Sequence, residues 1–184
     1  MIRHSRPVTI GWWPALAAAA IAVLSAAPAS AQKEMLYSAE HNYHRFTVQK
    51  TLGSVEICQI QVMNLAPGRE TAMGIMASQN GRLAMTVMGL PAPSVATAGP
   101  AIFRIAHGAD GTEQTTPLVL AVRPEGDLFF AEGALRTEDA GSLLASKWWE
   151  ILDKDKTRLG LIVPPENQWS AALLEFQTCR KSLG

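Results

Sequence analysis

The chain has 184 residues, of which 48% are hydrophobic and 17% charged, with 16 basic against 16 acidic side chains and two cysteines. An even charge balance without a basic cluster argues against nucleic acid as a partner, because phosphate binding is driven by concentrated Lys and Arg. It argues equally against a polybasic role at a membrane surface.

The chain opens with MIRHSRPVTI, which carries Arg3, His4 and Arg6 and no acid, and continues as the uncharged run GWWPALAAAAIAVLSAAPASA. A basic start, an apolar stretch and the small residues Ala29-Ser30-Ala31 are the three parts of a secretory signal peptide. Residues 1–31 are therefore read as a signal peptide, with the cut after Ala31 and Gln32 as the mature start. The alternative is an uncleaved anchor formed by residues 8–31, since about 20 apolar residues span a bilayer core. Pro14, Pro28 and the weakly apolar alanines speak for cleavage. The cut leaves 14 basic and 16 acidic residues, a formal charge of −2. Residues 32–184 are enough for a single exported domain with its own core. No later run is apolar for long enough to span, so the mature chain is expected to lack a membrane span.

From Tyr43 to about Arg136 the sequence reads as β. The runs 44–50, 55–63, 82–89, 101–107, 118–123 and 127–133 are short and apolar or alternating. Turn formers lie between them, among them Asn80-Gly81, the best hairpin signal because both residues tolerate positive φ. Short strands at this spacing point to antiparallel sheet rather than βαβ units. In VEICQIQVM, Cys58, Ile60 and Val62 share one face, which places the cysteine inward. A short polar lead precedes this region.

After Arg136 the period changes. TEDAGSLLASKWWEILDKDK predicts a helix capped near Thr137, with Glu138 and Asp139 as first-turn acids and Leu144, Trp148, Ile151 and Leu152 on its apolar face. TRLGLIVP then predicts a strand, stopped by Pro164-Pro165. In NQWSAALLEFQTCRKSLG, Asn167 is a candidate N-cap, and Trp169, Ala172, Leu173, Phe176 and Cys179 recur at the spacing of one helix face. The expected fold is mainly β with α (α+β), an antiparallel β-sandwich or partly open barrel braced by a C-terminal helix.

Two cysteines in an exported chain read as one disulfide, Cys58–Cys179, which would pin the last helix to an early strand. Without a C-x-x-C pair a redox role has little support.

The signal peptide, the early strand C-Q-I-Q-V, the segment LLASKWWEILDKDKTRLGLIV and the ending WSAALLEF together resemble the invasion-associated locus B family of small exported bacterial proteins. The resemblance extends over most of the mature chain and implies a β-sandwich-like exported protein, some of whose relatives are linked to host-cell entry. Only Cys58 and Cys179 carry over from it, as structural residues.

Candidate chemistry is sparse. His41 and His44 form an H-x-x-H that could supply two metal ligands, but H-E-x-x-H is absent. His107 could serve a hydrolase, yet there is no G-x-S-x-G elbow, and His107 to Gly111 reads as a hairpin tip with Asp110-Gly111 at the turn. Asp153 to Lys156 starts like a calcium loop but Thr157 and Arg158 break the pattern; it reads as a solvated helix end. The methionines Met63, Met73, Met76, Met85 and Met88 read as core filler. Trp149, off the stripe of the predicted helix, is the candidate for a partner contact. The expectation is a non-enzymatic periplasmic or secreted binding protein that needs no cofactor and meets an envelope protein, an extracellular protein or a small ligand. A small exported hydrolase or metal-dependent enzyme, and an envelope-complex subunit anchored by residues 8–31, are the alternatives.

Overall fold

Most strands pair with their predecessor in the sequence. The computed structural model describes residues 32–67, 70–90, 98–109, 111–125 and 128–183; the expected signal peptide and its cleavage site lie outside them. Ten strands and two helices run β1 (Gln32–His41), β2 (His44–Leu52), β3 (Ile57–Asn64), β4 (Thr71–Ser78), β5 (Leu83–Leu90), β6 (Gly99–Ala109), β7 (Thr112–Glu125), β8 (Leu128–Leu135), α1 (Thr137–Leu144), β9 (Trp148–Leu152), β10 (Arg158–Ile162) and α2 (Glu166–Lys181). The strands form one antiparallel sheet in the order β1-β2-β3-β4-β5-β8-β7-β6-β9-β10. The exceptions to pairing with the predecessor are β6, which pairs with β7 and β9, and β9, which pairs with β6 and β10. The sheet is open. It is bent enough that β10 reaches β3 and β4, where Asn64 Nδ2 donates to the Leu161 carbonyl at 3.2 Å. Gly160 makes this approach feasible, because a Cβ there would lie 2.7 Å from Thr71 Cγ2.

The register explains the core. Val48, Ile60, Ile75 and Met85 lie opposite one another across β2 to β5, as do Phe46, Val62, Met73 and Val87. All are buried. Because alternate residues face opposite sides of a strand, these rows form one inner face, and burying each such side chain contributes about 1.5–3 kcal/mol. From the other half of the sheet, Phe103 and Ile105 on β6, Leu118 and Leu120 on β7 and Ile151 on β9 join the same core.

The hairpin at Asn80-Gly81 is present, with Gly81 at φ +76°. Three strands are not legible as strands in the sequence: β1, β4 and, after Arg136, β9. β1 looks like a polar lead because most of its side chains are exposed, and β4 (TAMGIMAS) has no polar alternation because both of its faces are mostly covered.

The region after Arg136 departs from the expected long helix. α1 ends at Leu144, and Trp148 to Leu152 form β9, paired with β6 and β10. Burial there alternates with period two, so Trp149 and Ile151 point inward. The Asp153 to Lys156 segment is accordingly the β9–β10 turn, not a helix end: Asp153 Oδ1 accepts from the Asp155 and Thr157 amides, each at 2.8 Å. Arg136 and Pro165, rather than Thr137 and Asn167, occupy the N-cap positions, neither with a side-chain cap.

α2 packs on β1, β2 and β3 with Trp169, Ala172, Phe176 and Cys179 buried beneath it. Glu166 at its start and Arg180 and Lys181 at its end complement the helix dipole. Cys179 is bonded to Cys58 on β3, the two Cα atoms 5.9 Å apart and 121 residues apart in sequence. Closing a loop of that length contributes on the order of 5 kcal/mol through the unfolded chain. Replacing both cysteines by serine should therefore lower unfolding stability by about 3–5 kcal/mol, read as a lower urea midpoint than that of the oxidised parent.

Candidate functional site

Among the described residues, the one fully buried titratable side chain of the core is His107, on the inner face of β6 with 1% exposure. Gln114 on β7 and Trp149 on β9 stand opposite it in register. Its ring joins three elements. Nδ1 lies 2.8 Å from Ser146 Oγ, just beyond α1, and Nε2 lies 3.0 Å from Thr116 Oγ1 on β7. Ser146 Oγ in turn donates to the Ser142 carbonyl at 2.8 Å. A hydroxyl has one proton to give, so Ser146, which donates to Ser142, accepts from Nδ1–H. Burial disfavours the charged ring, which leaves Nε2 to accept the Thr116 hydroxyl proton. The imidazole is neutral and both nitrogens are used.

Burial pushes His107 below its ordinary value, while the Asp139 carboxylate pulls the other way. Asp139 does not hydrogen-bond the ring; it is held by Arg136, with Nε to Oδ2 at 2.7 Å and Nη2 to Oδ1 at 3.0 Å.

The surroundings show why the chain turns here. The last carbonyls of a helix lack intrahelical donors. In α1 they are met by side chains: Ser146 Oγ on Ser142, Trp149 Nε1 on Leu143 at 2.9 Å, and Trp169 Nε1 on Leu144 at 3.3 Å. The two indoles meet edge to face with centroids 4.9 Å apart. Gly108 allows the β6–β7 hairpin to close over this knot, since a Cβ there would fall 1.9 Å from the Thr112 carbonyl oxygen. A recess of about 200 Å³ opens at His107, Thr112, Gln114, Ser142 and Ser146. The hairpin tip is as expected at Gly111, φ +81°; Asp110 lies outside the described residues. His107 itself sits below the tip, in the core.

The remaining sequence candidates are dispersed. His41 and His44 flank the two-residue β1–β2 turn, in which Asn42 and Tyr43 have φ of +46° and +64°. His44 Nδ1 is spent on the Asn42 carbonyl at 3.0 Å, and its ring stacks on Phe46. Among the described residues no group of three His, Cys, Asp or Glu side chains could hold a metal ion. Trp149 is fully buried. A ring inside the core cannot meet a partner at the surface, so the contact expected there is corrected.

Among the described residues, several large apolar side chains are exposed, and two of them are neighbours. Ile102 on β6 and Val119 on β7 are direct cross-strand partners on the outer face, 53% and 64% exposed. Pro100, Pro117 and Ala121 beside them are also exposed. A recess of about 390 Å³ adjoins the pair, lined by Pro100, Ile102, Phe103, Asp153, Lys154 and Asp155. The lining is apolar on the β6 side and carries both charges on the side of the β9–β10 turn. No family model, curated protein or solved structure matches this chain.

Sequence reading missed Ser146, Thr116 and this patch. The patch did leave a signal: PAIFRI and LVLAV are apolar at successive positions, which in an antiparallel sheet means that some apolar residues face out.

The neutral His107 has a pH consequence. Its folded value lies below the ordinary 6.5, so between the two the unfolded chain binds a proton that the folded chain does not. This stability is complete above the ordinary value and is lost as pH falls through the folded one. The difference in unfolding free energy between the parent and His107→Gln should shrink on acidification. Thr116→Val, which removes the donor to Nε2, should cost about 1–3 kcal/mol at neutral pH, measured by urea unfolding.

Proposed function

We propose that this chain is a non-enzymatic binding or interaction protein that works outside the cytoplasm of a Gram-negative-type bacterium, in the periplasm or secreted. The observation that carries the reading is the exposed Ile102–Val119 pair beside the apolar recess rimmed by Asp153, Lys154 and Asp155. Contiguous exposed apolar surface with a polar rim is what contact sites present. The occupant would be an envelope or extracellular protein or a small ligand with an apolar part and a charged end.

Two further features support export. Disulfides persist in oxidising compartments, and the Cys58–Cys179 bridge ties α2 to the sheet. Among the described residues no helix is long and apolar enough to cross a membrane. The signal-peptide pattern and the resemblance to the invasion-associated locus B family point the same way. Host-cell entry, known for some of that family, is not extended to this chain.

A second reading has one observation in its favour, the 2.8 Å contact between His107 and Ser146. A hydrolytic pair needs the imidazole to take the serine proton. Here that proton goes to the Ser142 carbonyl and Nε2 is occupied by Thr116, which favours the structural role.

A photo-crosslinking residue at Val119, introduced in the native host, should yield an adduct of defined mass that is lost with Ile102→Lys; no adduct beyond that from a control at exposed Glu113 would remove the binding reading. A serine-directed fluorophosphonate should leave the chain unlabelled, and labelling of Ser146 would establish the hydrolase instead. Intact mass from the envelope should begin at Gln32 and rise by about two hydrogens on reduction, whereas a mass retaining residues 1–31 would mean an anchored subunit.

A further inference from the structure

An open antiparallel sheet leaves two edges, and here they are unequal. β10 has five residues, a register shift between Arg158 and Gly160, and its Leu161 carbonyl bonded to Asn64. β1 has ten residues, mostly exposed, and pairs only with β2 among the described residues. A long exposed edge is a row of unpaired backbone donors and acceptors.

The register identifies which residues offer those groups. The β1–β2 connection is a two-residue turn with positive φ at both positions, a type I′ hairpin, whose flanking residues His41 and His44 bond each other. Bonded and non-bonded pairs then alternate, so Glu40 and Ser38 direct their backbone N–H and C=O away from β2. Between Met35 and Tyr37 the register shifts by one residue. This bulge places Leu36 and Tyr37 together against the core and reverses the parity. On its far side, Met35 and Lys33 are the residues whose backbone groups face outward.

The free edge therefore presents Lys33, Met35, Ser38 and Glu40, with all four side chains exposed on the outer face. That pattern is complementary to itself. When a second β1 runs antiparallel about a two-fold axis between Leu36 and Tyr37, Lys33 stands opposite Glu40 and Met35 opposite Ser38. The two bulges face each other, so the spacing matches on both strands. Without the shift, positions 33 and 40 would have opposite parity, and one of them would bond inward to β2. Glu40 already pairs with Arg45 on β2, so each end of the contact would carry the charge order Arg45, Glu40, Lys33.

From this juxtaposition we infer that β1 is a homodimerisation edge, joining two copies of this chain into a continuous twenty-stranded sheet (ten strands from each copy). On the order of eight main-chain hydrogen bonds form across it, with one Lys33–Glu40 ion pair at either end. Bulges and lysines at an edge deter arbitrary strands, and here the same two features suit a second copy. The inference stands apart from the proposed binding role, which uses the outer face of β6 and β7, so either can fail alone.

The test is sedimentation equilibrium of the exported, disulfide-bonded protein up to about 100 µM, which covers the weak affinity expected of a small interface. The parent should be a dimer. Lys33→Glu and Glu40→Lys should each raise the dissociation constant by about tenfold or more, since each substitution acts at both ends of the symmetric contact. The combined exchange should restore it. Far-UV circular dichroism on the same samples checks that the exposed substitutions leave the fold intact. A parent that stays monomeric throughout, or a dimer indifferent to both charge reversals, would overturn the inference.

Discussion

The structure depends on how α2 is seated against the inner face of the bent sheet. A ten-stranded open sheet has far more inner surface than it can cover by bending alone. α2 covers the β1–β3 part of it with Ala172, Phe176 and Cys179, while Trp169 reaches across to Trp149 on β9. The helix thus bridges strands that are distant in the sheet order. The Cys58–Cys179 bond ties that seat to β3. Lys50, directly opposite Cys58, reaches Glu56 at 2.8 Å and Ser182 Oγ at 3.4 Å, so the bridge lies beside a polar clasp at the end of α2.

A second constraint follows from the first. The C-terminal end of α1 is partly buried, and an unmet carbonyl there is costly. Ser146, Trp149 and Trp169 each supply a donor, and His107 orients Ser146 while accepting from Thr116. The same polar knot that looks like a fragment of a hydrolytic site is thereby a cap on a buried helix end. Its groups satisfy one another, and that mutual satisfaction is why the imidazole stays neutral in the core.

Surface and interior divide the functional argument. The interior holds the histidine, both paired tryptophans and the disulfide, all occupied in holding elements together. Among the described residues, the outer face of β6 and β7 carries paired exposed apolar side chains and the edge of β1 carries unpaired backbone groups. The proposed recognition therefore uses the sheet's outer face and edge rather than its core.

The sequence by itself determined the antiparallel β character, the Asn80-Gly81 hairpin, the helix over Glu166–Lys181 and the inward direction of Cys58 and Cys179. Each of these is written in short-range periodicity or in a residue with a strong conformational preference. Tertiary structure decided the rest. The segment Trp148 to Leu152 is compatible with a helix when read alone, and becomes a strand because β6 and β10 offer ladders and because the end of α1 needs the Trp149 indole. β1 reads as polar because it is an edge, exposed over most of its length, and its bulge appears only once β2 sets the register. His107 reads as a turn histidine until β7 and Ser146 close around it. Polarity and spacing report the neighbours a residue has in sequence, whereas burial, register and hydrogen-bond partners depend on neighbours brought from far along the chain.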